Sequence, residues 1–91
     1  MSAARLKAIS EHLQALAPSV LELTDESHLH AGHAGAASGG GHFRLLIVSE
    51  QFRGLAVLAR HRRVYESLAA MIPQEIHALS IEALTPEQAQ R

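Results

Sequence analysis

Residues 42–65, HFRLLIVSEQFRGLAVLARHRRVY, form the central segment around which the other predicted elements are arranged. The first eight residues of this stretch have the pattern of a strand, because Phe43, Leu45 and Ile47 alternate with a second set of residues as the pleat of a strand requires. The second set also contains apolar residues, which is typical of a central strand that is covered on part of both faces. A turn that ends in Gly54 follows, and the chain then continues as a helix that carries an Arg-His-Arg-Arg cluster.

The flanking segments complete an α-β-β-α-β-(α) order of elements. A helix with amphipathic spacing and an alternating segment precede the central strand, and a proline-terminated helix and a further strand follow it. Thr85-Pro86-Glu87 has the order of a helix start, with a capping residue, a first-turn proline and a first-turn acid. The fold class is therefore α/β (α+β). The predicted helices span 3–16 and 55–72, the predicted strands span 20–24, 42–49 and 76–83, and a short last helix begins after Thr85.

The helix over 55–72 has two predicted faces. Four apolar residues and one histidine recur at 3-4-3-4 spacing and predict a buried stripe. Arg60 and Arg63 are predicted to share a neighbouring, more exposed face. The residues of the predicted stripe are Leu58, His61, Tyr65, Leu68 and Ile72.

A histidine- and glycine-rich segment, residues 25–41, joins the first two strands. Its sequence is DESHLHAGHAGAASGGG, and it contains five of the six glycines of the chain. Such small residues supply little side chain to pack, so the segment is predicted to be a flexible loop. Three of the seven histidines, His28, His30 and His33, lie within it.

The order of the elements predicts that distant histidines lie at one edge of the sheet. A strand–helix–strand crossover joins parallel strands, so the strands over 42–49 and 76–83 begin at the same end of the sheet. An antiparallel hairpin of strands 20–24 and 42–49 places the 25–41 segment at that end as well. His77, the second residue of the last strand, is therefore expected near the histidine-rich segment.

Composition limits the classes of function. The chain has 91 residues, the size of a single domain spanning 1–91. Its net charge of −1 argues against a general polyanion binder, and it lacks the run of about 20 apolar residues that crosses a membrane. Cysteine is absent, so there is no disulfide, thiol nucleophile or thiolate ligand, and a reducing cytoplasm is the expected location. No nucleophile–base pair, acidic dyad or phosphate loop emerges, and we do not expect an enzyme.

Five short motifs together resemble those of the BolA family over residues 3–87. The resemblance implies a class II KH-like α/β sandwich, with a three-stranded mixed sheet and helices on one face, in agreement with the order of elements above. The Gly-x-x-Gly loop that a KH domain uses to grip nucleic acid is not seen at the matching place. The motifs are Asp25-Glu26-Ser27, His42-Phe43-Arg44, Phe52-x-Gly54, Arg60-His61-Arg62-x-Val64-Tyr65 and His77-Ala78-Leu79.

The resemblance implies a protein partner and a cofactor. BolA-like proteins bind monothiol glutaredoxins and share a [2Fe–2S] cluster with them. By position, the family's ligands correspond to His77 and His30, with His33 and His28 as alternates because the segment around them departs from the family pattern. The isolated chain, a monomer or weak homodimer by expectation, would hold no cofactor.

The chemistry of the available ligands supports sharing of a cluster between two proteins. A [2Fe–2S] centre needs four ligands, and histidine can replace cysteine on one of its irons. A chain without cysteine completes at most one iron with two imidazoles, so the remaining ligands would be a partner's cysteine and a glutathione thiol. The first hypothesis is therefore an adaptor for iron–sulfur trafficking or for iron and redox regulation. A zinc or nickel site built from His28, His30, His33 and His77 stays open as an alternative.

Some of these histidines also have a structural interpretation. His77 shares a predicted strand face with Leu79 and Ile81, as a partly buried strand histidine would. His61 lies on the predicted buried stripe and is interpreted, with Phe52, Gly54 and Tyr65, as a structural member of the motifs. His12 and His42 are given no functional role.

The arginines of the central helix carry the second functional hypothesis. Arg60, Arg62 and Arg63 predict either contacts to an acidic partner or to the carboxylates of glutathione, or a weak and salt-sensitive affinity for duplex DNA. In the latter case the protein would be a DNA-binding transcriptional regulator of stress, morphology or biofilm-type responses. Exposed arginines that interact only with solvent or with neighbouring carboxylates are the structural alternative.

Overall fold

The computed structural model describes residues 2–30 and 41–90, and it confirms the predicted order of elements. Within those residues no helix is long and apolar enough to cross a bilayer. The helices are α1 (Ser2–Leu13), α2 (Val57–Ser67) and α3 (Pro86–Ala89), and the strands are β1 (Val20–Asp25), β2 (Gly41–Val48) and β3 (Ile76–Leu84). Single turns of 3-10 helix span Gln14–Leu16, Ser27–His30, Glu50–Phe52 and Ala69–Met71.

The three strands form one mixed sheet in the order β1-β2-β3. Strand β1 pairs with β2 in antiparallel orientation, and β3 pairs with β2 in parallel orientation. In the register, Leu23 and Ile81 both lie opposite Leu45. The predicted central position of β2 and both predicted orientations are confirmed.

The hydrophobic core lies between the helices and one face of the sheet. Alternate residues of β2 supply the sheet side of this core, and Phe43, Leu45 and Ile47 are almost completely buried. The helix side includes Ile9 and Leu13 of α1, in accordance with the amphipathic spacing of the sequence. Side chains of both helices therefore cover the same face of the sheet. The core residues outside α1 and β2 are Leu16, Phe52, Val64, Leu68, Met71, Ile76 and Ala83.

The predicted buried stripe of α2 is wrong. Leu58 is 62% exposed and Tyr65 is 42% exposed, whereas Arg60 is only 8% exposed and Val64 is fully buried. The helix is rotated relative to the prediction, so the face that contacts the core contains an arginine. Leu68 is buried as predicted, because it lies on both the predicted and the observed stripe.

Burial of Arg60 is explained by the acceptors that surround its guanidinium group. Its Nε donates a hydrogen bond to the carbonyl oxygen of Leu55 at 2.8 Å. Its Nη1 donates to the carbonyl oxygen of Ala83 at 2.9 Å and to Oε1 of Gln88 at 2.7 Å. A buried cation is tolerated when its donors are satisfied in this way, so Arg60 joins the turn before α2, the end of β3 and α3. The prediction that Arg60 shares an exposed face with Arg63 is therefore wrong.

The turn before α2 and the start of α3 follow the sequence signals. Gly54 has a φ of +80°, a conformation that glycine adopts at little cost. Thr85 caps α3, because its Oγ1 accepts a hydrogen bond from the backbone N–H of Gln88 and its own N–H donates to Oε1 of Gln88. Pro86 occupies the first turn, and the predicted start of the helix is confirmed.

The segment between β1 and β2 contains more regular structure than the sequence predicted. Strand β1 extends to Asp25, and the 3-10 turn Ser27–His30 follows it. The predicted flexible loop otherwise falls on residues 31–40, which include His33 and lie outside the described residues. The side chain of His30 also lies outside the described part of the structure.

Candidate functional site

Strand β3 has one extra residue beside the start of β2, and that residue is His77. Gly41 lies opposite Ile76 and His42 lies opposite Ala78, so the register shifts by one residue between them. An extra residue of this kind is a β-bulge, a feature that changes the direction of a side chain. His77 is therefore outside the regular alternation of β3.

The bulge changes which residues of β3 face the core. Ile76 is 1% exposed and Ala83 is 8% exposed, although strict alternation would place positions 76 and 83 on opposite faces. Because the bulge absorbs one residue, both can face the core, and His77 is exposed. The interpretation of His77 as a partly buried residue on the face of Leu79 and Ile81 is therefore wrong.

His42 lies beside His77 at the same end of the sheet. The centroids of the two imidazole rings are 5.3 Å apart, and the ring planes are inclined by 51°. His42 is mostly buried, with 9% of its surface exposed. Sequence reasoning gave His42 no role, although the expected parallel pairing of β2 and β3 already placed the first residues of both strands side by side.

The Asp25-Glu26-Ser27 motif attaches the end of β1 to the start of β2. Oδ1 of Asp25 accepts a hydrogen bond from the N–H of Ser27 at 2.9 Å. Oγ of Ser27 accepts a hydrogen bond from the N–H of His42 at 3.0 Å, and the N–H of Glu26 donates to the carbonyl oxygen of His42 at 2.8 Å. These bonds hold the 3-10 turn Ser27–His30 next to the first residues of β2. The predicted proximity of His77 to the histidine-rich segment is confirmed for the start of that segment.

Gly41 is required where this turn approaches the sheet. A Cβ atom at this position would lie 2.6 Å from Cε2 and 2.7 Å from Cζ of Phe43, and 3.1 Å from Oγ of Ser27. The ring of Phe43 is part of the core and cannot move without disturbing it. The glycine therefore allows the core, the Ser27 hydroxyl and the start of β2 to meet.

We call this end of the sheet the histidine rim and define it by Ser27–His30, His42 and His77. A cavity of about 400 Å³ adjoins it and is lined in part by His42, Ser80 and the ion pair of Arg44 with Glu26. In that ion pair Nε of Arg44 lies 2.9 Å from Oε2 of Glu26. Such an exposed pair contributes little to stability.

The histidine rim offers imidazole ligands from two elements. His77 is exposed on β3, and His28 is exposed on the 3-10 turn. Among the described side chains, which do not include that of His30, no three histidine, aspartate or glutamate residues lie close enough together to hold a metal ion. The described part of the rim can therefore supply individual ligands to a metal centre, but the described side chains alone do not form a three-ligand site.

The remaining predicted contact residues lie on α2. Arg62 and Arg63 are exposed, His61 is half-buried, and Arg60 belongs to the core as described above. The hydroxyl of Tyr65 donates a hydrogen bond to the carbonyl oxygen of Leu79 at 3.4 Å, which ties α2 to β3. The structure therefore separates the arginines into one that supports the fold and two that face the solvent.

Comparison with known proteins identifies the family. The family model described as "BolA-like protein" matches residues 13–88 of the chain. The chain belongs to the BolA family. BolA-like protein 1 of Mus musculus is 48% identical over 75 residues, which cover 82% of this chain and 53% of the mouse protein. This BolA-family chain thus spans about half the length of that relative.

Bacterial and plant proteins of the BolA family show the same similarity. The protein named DNA-binding transcriptional regulator BolA in Escherichia coli strain K12 is 40% identical over 78 residues, which cover 85% of this chain and 71% of that protein. The structure of BolA1 from Arabidopsis thaliana has 36% sequence identity and superimposes with a TM-score of 0.78 over 92% of this chain and 94% of that chain. The predicted BolA fold is confirmed.

Proposed function

We propose that this BolA-family chain is an adaptor that binds a monothiol glutaredoxin and co-ligates a bridging [2Fe–2S] cluster. The observation that carries the proposal is the β-bulge at His77, which exposes one imidazole at the histidine rim. Family membership and the proximity of the Ser27–His30 turn support it. The adaptor would act in the cytoplasm, in iron–sulfur trafficking or in iron and redox regulation, and would not itself catalyse a reaction.

The donor set of the chain fits a shared cluster. His77 is exposed and free to approach a partner surface, and a second imidazole would come from His30, with His28 and His33 as alternates. The chain contains no cysteine, so the sulfur ligands would come from the partner's cysteine and from glutathione. The cluster, when bound, would supply redox chemistry with a potential raised by its histidine ligands.

The chain's own residues orient the proposed ligands. The bulge directs His77 away from the core, and the buried ring of His42 packs beside it. The hydrogen bonds of Ser27 hold the turn that carries His28 and His30 against the start of β2. Because histidine ligates metals as the neutral ring, we expect cluster retention to weaken below about pH 6.5.

Reconstitution tests this proposal. The chain is mixed with a monothiol glutaredoxin, glutathione, iron and sulfide, and the visible circular dichroism of the product is compared with that of the glutaredoxin cluster alone. We expect the native chain to change the spectrum and His77→Ala to abolish this change. His12→Ala is the matched control, because His12 is an exposed histidine on α1. If the mixture that contains His77→Ala gives the same spectrum as the native mixture, the assignment of His77 as a ligand is contradicted.

The loop ligand is assigned by the same measurement on single variants. We expect His30→Ala to alter the spectrum more than His28→Ala or His33→Ala, because His30 matches the family's ligand position. A spectrum that changes only in His28→Ala or only in His33→Ala would move the assignment to that residue.

DNA binding is the second candidate function. It is favoured by the name of the Escherichia coli relative, DNA-binding transcriptional regulator BolA, and by the exposure of Arg62 and Arg63. If α2 binds phosphates, Arg62→Ala/Arg63→Ala should weaken duplex binding. The slope of the logarithm of the binding constant against the logarithm of the salt concentration should also become shallower, by about one for each phosphate that the variant no longer neutralises. Lys7→Ala on α1 is the control. An unchanged affinity and slope would exclude α2 as the DNA-binding element.

A further inference from the structure

The sheet has two outer edges, one along β1 and one along β3, because β2 lies between these strands. At the edge of a sheet, the backbone N–H and C=O groups of every second residue point outward and can pair with another strand. The two edges of this sheet differ in what occupies those groups. The difference shows where a further strand can be added.

The outer edge of β3 is partly occupied by side chains of α2. The N–H of Ser49 donates to the carbonyl oxygen of Leu84 at 3.0 Å, so even-numbered residues of β3 direct their backbone groups toward β2 and odd-numbered residues direct theirs outward. The outward carbonyl oxygen of Leu79 accepts a hydrogen bond from the hydroxyl of Tyr65, and that of Ala83 accepts one from Arg60. These two side chains stand in the way of an added strand.

The outer edge of β1 is open at Leu21 and Leu23. The N–H of Glu26 donates to the carbonyl oxygen of His42 at 2.8 Å, so in β1 the even-numbered residues direct their backbone groups toward β2. Those of Leu21 and Leu23 point outward, and they make no hydrogen bond within the part of the chain that the structure describes. Both side chains are half-buried at the margin of the core. An added strand would pair these backbone groups and cover these leucines.

Strand β1 is complementary to a second copy of itself. In antiparallel pairing about a two-fold axis at Leu23, the outward groups of both copies meet and the helix-covered faces of the two sheets lie on the same side. Leu23 then lies opposite Leu23 of the second copy, Leu21 opposite Asp25, and Glu22 opposite Thr24. No two carboxylates are directly opposite, and the two half-buried leucines are in contact across the axis.

Other two-fold registers of β1 are less favourable. An axis at Leu21 pairs only the first half of the strand, and an axis at Asp25 places two aspartates opposite each other. An axis at Glu22 or Thr24 would require backbone groups that already pair with β2. The axis at Leu23 is therefore the register that a second copy fits.

We propose that the outer edge of β1 is the interface of a homodimer, in which two three-stranded sheets join into one sheet of six strands. The proposal is independent of the proposed function. Strand β3 of each copy lies two strand spacings, about 10 Å, from β1, so the dimer leaves His77 uncovered. The antiparallel pairing places the two histidine rims at opposite ends of the interface. Each rim then remains accessible to its own partner.

Sedimentation equilibrium of the whole chain tests the dimer, at concentrations up to about 1 mM because a pair of short strands buries little surface. A chelator prevents histidines from joining two copies through a metal. Thr24 is exposed and would lie opposite Glu22 of the second copy. We expect Thr24→Glu to weaken dimerisation about fivefold and Thr24→Lys to strengthen it by a similar factor, since each cross-strand pair occurs twice at a two-fold interface.

Ser80 supplies the matched control. Thr24 on β1 and Ser80 on β3 both lie opposite Arg44, and both are exposed, so a new charge at either position has the same neighbour within the chain. Ser80→Glu and Ser80→Lys should leave the dissociation constant unchanged. The double variant Glu22→Lys/Thr24→Glu should restore dimerisation, because it reverses the charge on both sides of each pair. Urea denaturation confirms that each variant is folded.

Amide hydrogen exchange locates the interface directly. Leu23 and Ile81 both lie opposite Leu45, one on each edge of the sheet, and both direct their N–H groups outward. As the protein concentration rises, exchange of the Leu23 amide should slow, whereas exchange of the Ile81 amide should not change.

Three results would overturn the homodimer. The first is a chain that stays monomeric at the highest concentration both as the native protein and as Thr24→Lys. The second is a dimer with the same dissociation constant in Thr24→Glu and Thr24→Lys. The third is association that Ser80→Glu weakens and Thr24→Glu does not, or concentration-dependent protection of Ile81 alone, which would place the contact at β3.

Discussion

Replacement of Arg60 by alanine should destabilise the fold, although Arg60 lies in a cluster of basic residues that resembles a binding surface. The guanidinium group makes three hydrogen bonds, to the carbonyl oxygens of Leu55 and Ala83 and to the side chain of Gln88. Arg60→Ala removes these donors and leaves the carbonyl oxygen of Ala83 buried without this partner. Arg63→Ala removes an exposed side chain of the same type and is the matched control.

The magnitude follows from the loss of donors to buried acceptors. A buried polar group that loses its partner costs about 1–3 kcal/mol, and hydrogen bonds from charged donors are the stronger ones. Two backbone carbonyls and one side-chain amide are affected, of which the amide of Gln88 can turn toward solvent. We therefore expect Arg60→Ala to lower the free energy of unfolding by about 2–4 kcal/mol. For Arg63→Ala we expect a change within about 0.5 kcal/mol.

Urea denaturation followed by circular dichroism at 222 nm measures both values. For a small domain with a urea dependence of about 1–1.5 kcal/mol/M, Arg60→Ala should lower the midpoint by about 2 M. Equal midpoints for the Arg60→Ala and Arg63→Ala variants would contradict a stabilising role of the Arg60 side chain. In that case the hydrogen bonds of Arg60 would contribute nothing net, and loss of DNA affinity in an Arg60 variant could be attributed to a direct contact.

Three further substitutions test the local structure. Gly41→Ala should destabilise the fold by about 1–3 kcal/mol, as overpacking does, because its Cβ would overlap the ring of Phe43; an unchanged urea midpoint would contradict this overlap. Thr85→Ala should cost about 1 kcal/mol through loss of a helix cap, and unchanged thermal unfolding would argue against the cap. Hydrogen bonds from Arg53 lower the pKa of Glu50, so this pair stabilises the fold above pH 4.5, and its contribution is lost as the pH falls and the carboxylate is protonated. Arg53→Ala should therefore lower the urea midpoint at pH 7 more than at pH 3, and an equal decrease at both pH values would contradict this linkage.

Strand pairing could be predicted from the sequence because it follows from connectivity. The helix between β2 and β3 required a parallel pair, and the hairpin between β1 and β2 required an antiparallel one. These two strand orientations are sufficient to place His77 at the same end of the sheet as the start of the histidine-rich segment. No knowledge of side-chain packing was needed for that part of the site.

The exposure of His77 could not be predicted, because a bulge leaves no trace in the alternation of apolar residues. With regular pleating, His77 would share the face of Leu79, Ile81 and Ala83. One extra residue at the start of β3 changes this assignment, and only the register with Gly41 and His42 reveals it. The same register shows that His42 lies beside His77.

The rotation of α2 could not be predicted for a different reason. Two stripes with the same helical spacing run along this helix, one through Leu58 and Tyr65 and the other through Arg60 and Val64. Hydrophobicity favours the first stripe. The second is buried because carbonyl groups of distant residues satisfy the guanidinium group of Arg60, and such tertiary acceptors are not visible in a local pattern. As a consequence, Leu58 and Tyr65 of the first stripe remain outside the core.

Ligation of the cluster by histidine is tested by the nitrogen hyperfine couplings of the reduced cluster. The chain is labelled with ¹⁵N-histidine, assembled with unlabelled glutaredoxin, glutathione, iron and sulfide, and measured by pulsed electron paramagnetic resonance. If the histidine rim ligates the cluster, we expect strong couplings to histidine nitrogens and the loss of one of them in His77→Ala, with His12→Ala unchanged. A cluster without strong ¹⁵N couplings, or with couplings that His77→Ala leaves intact, would contradict ligation by the histidine rim.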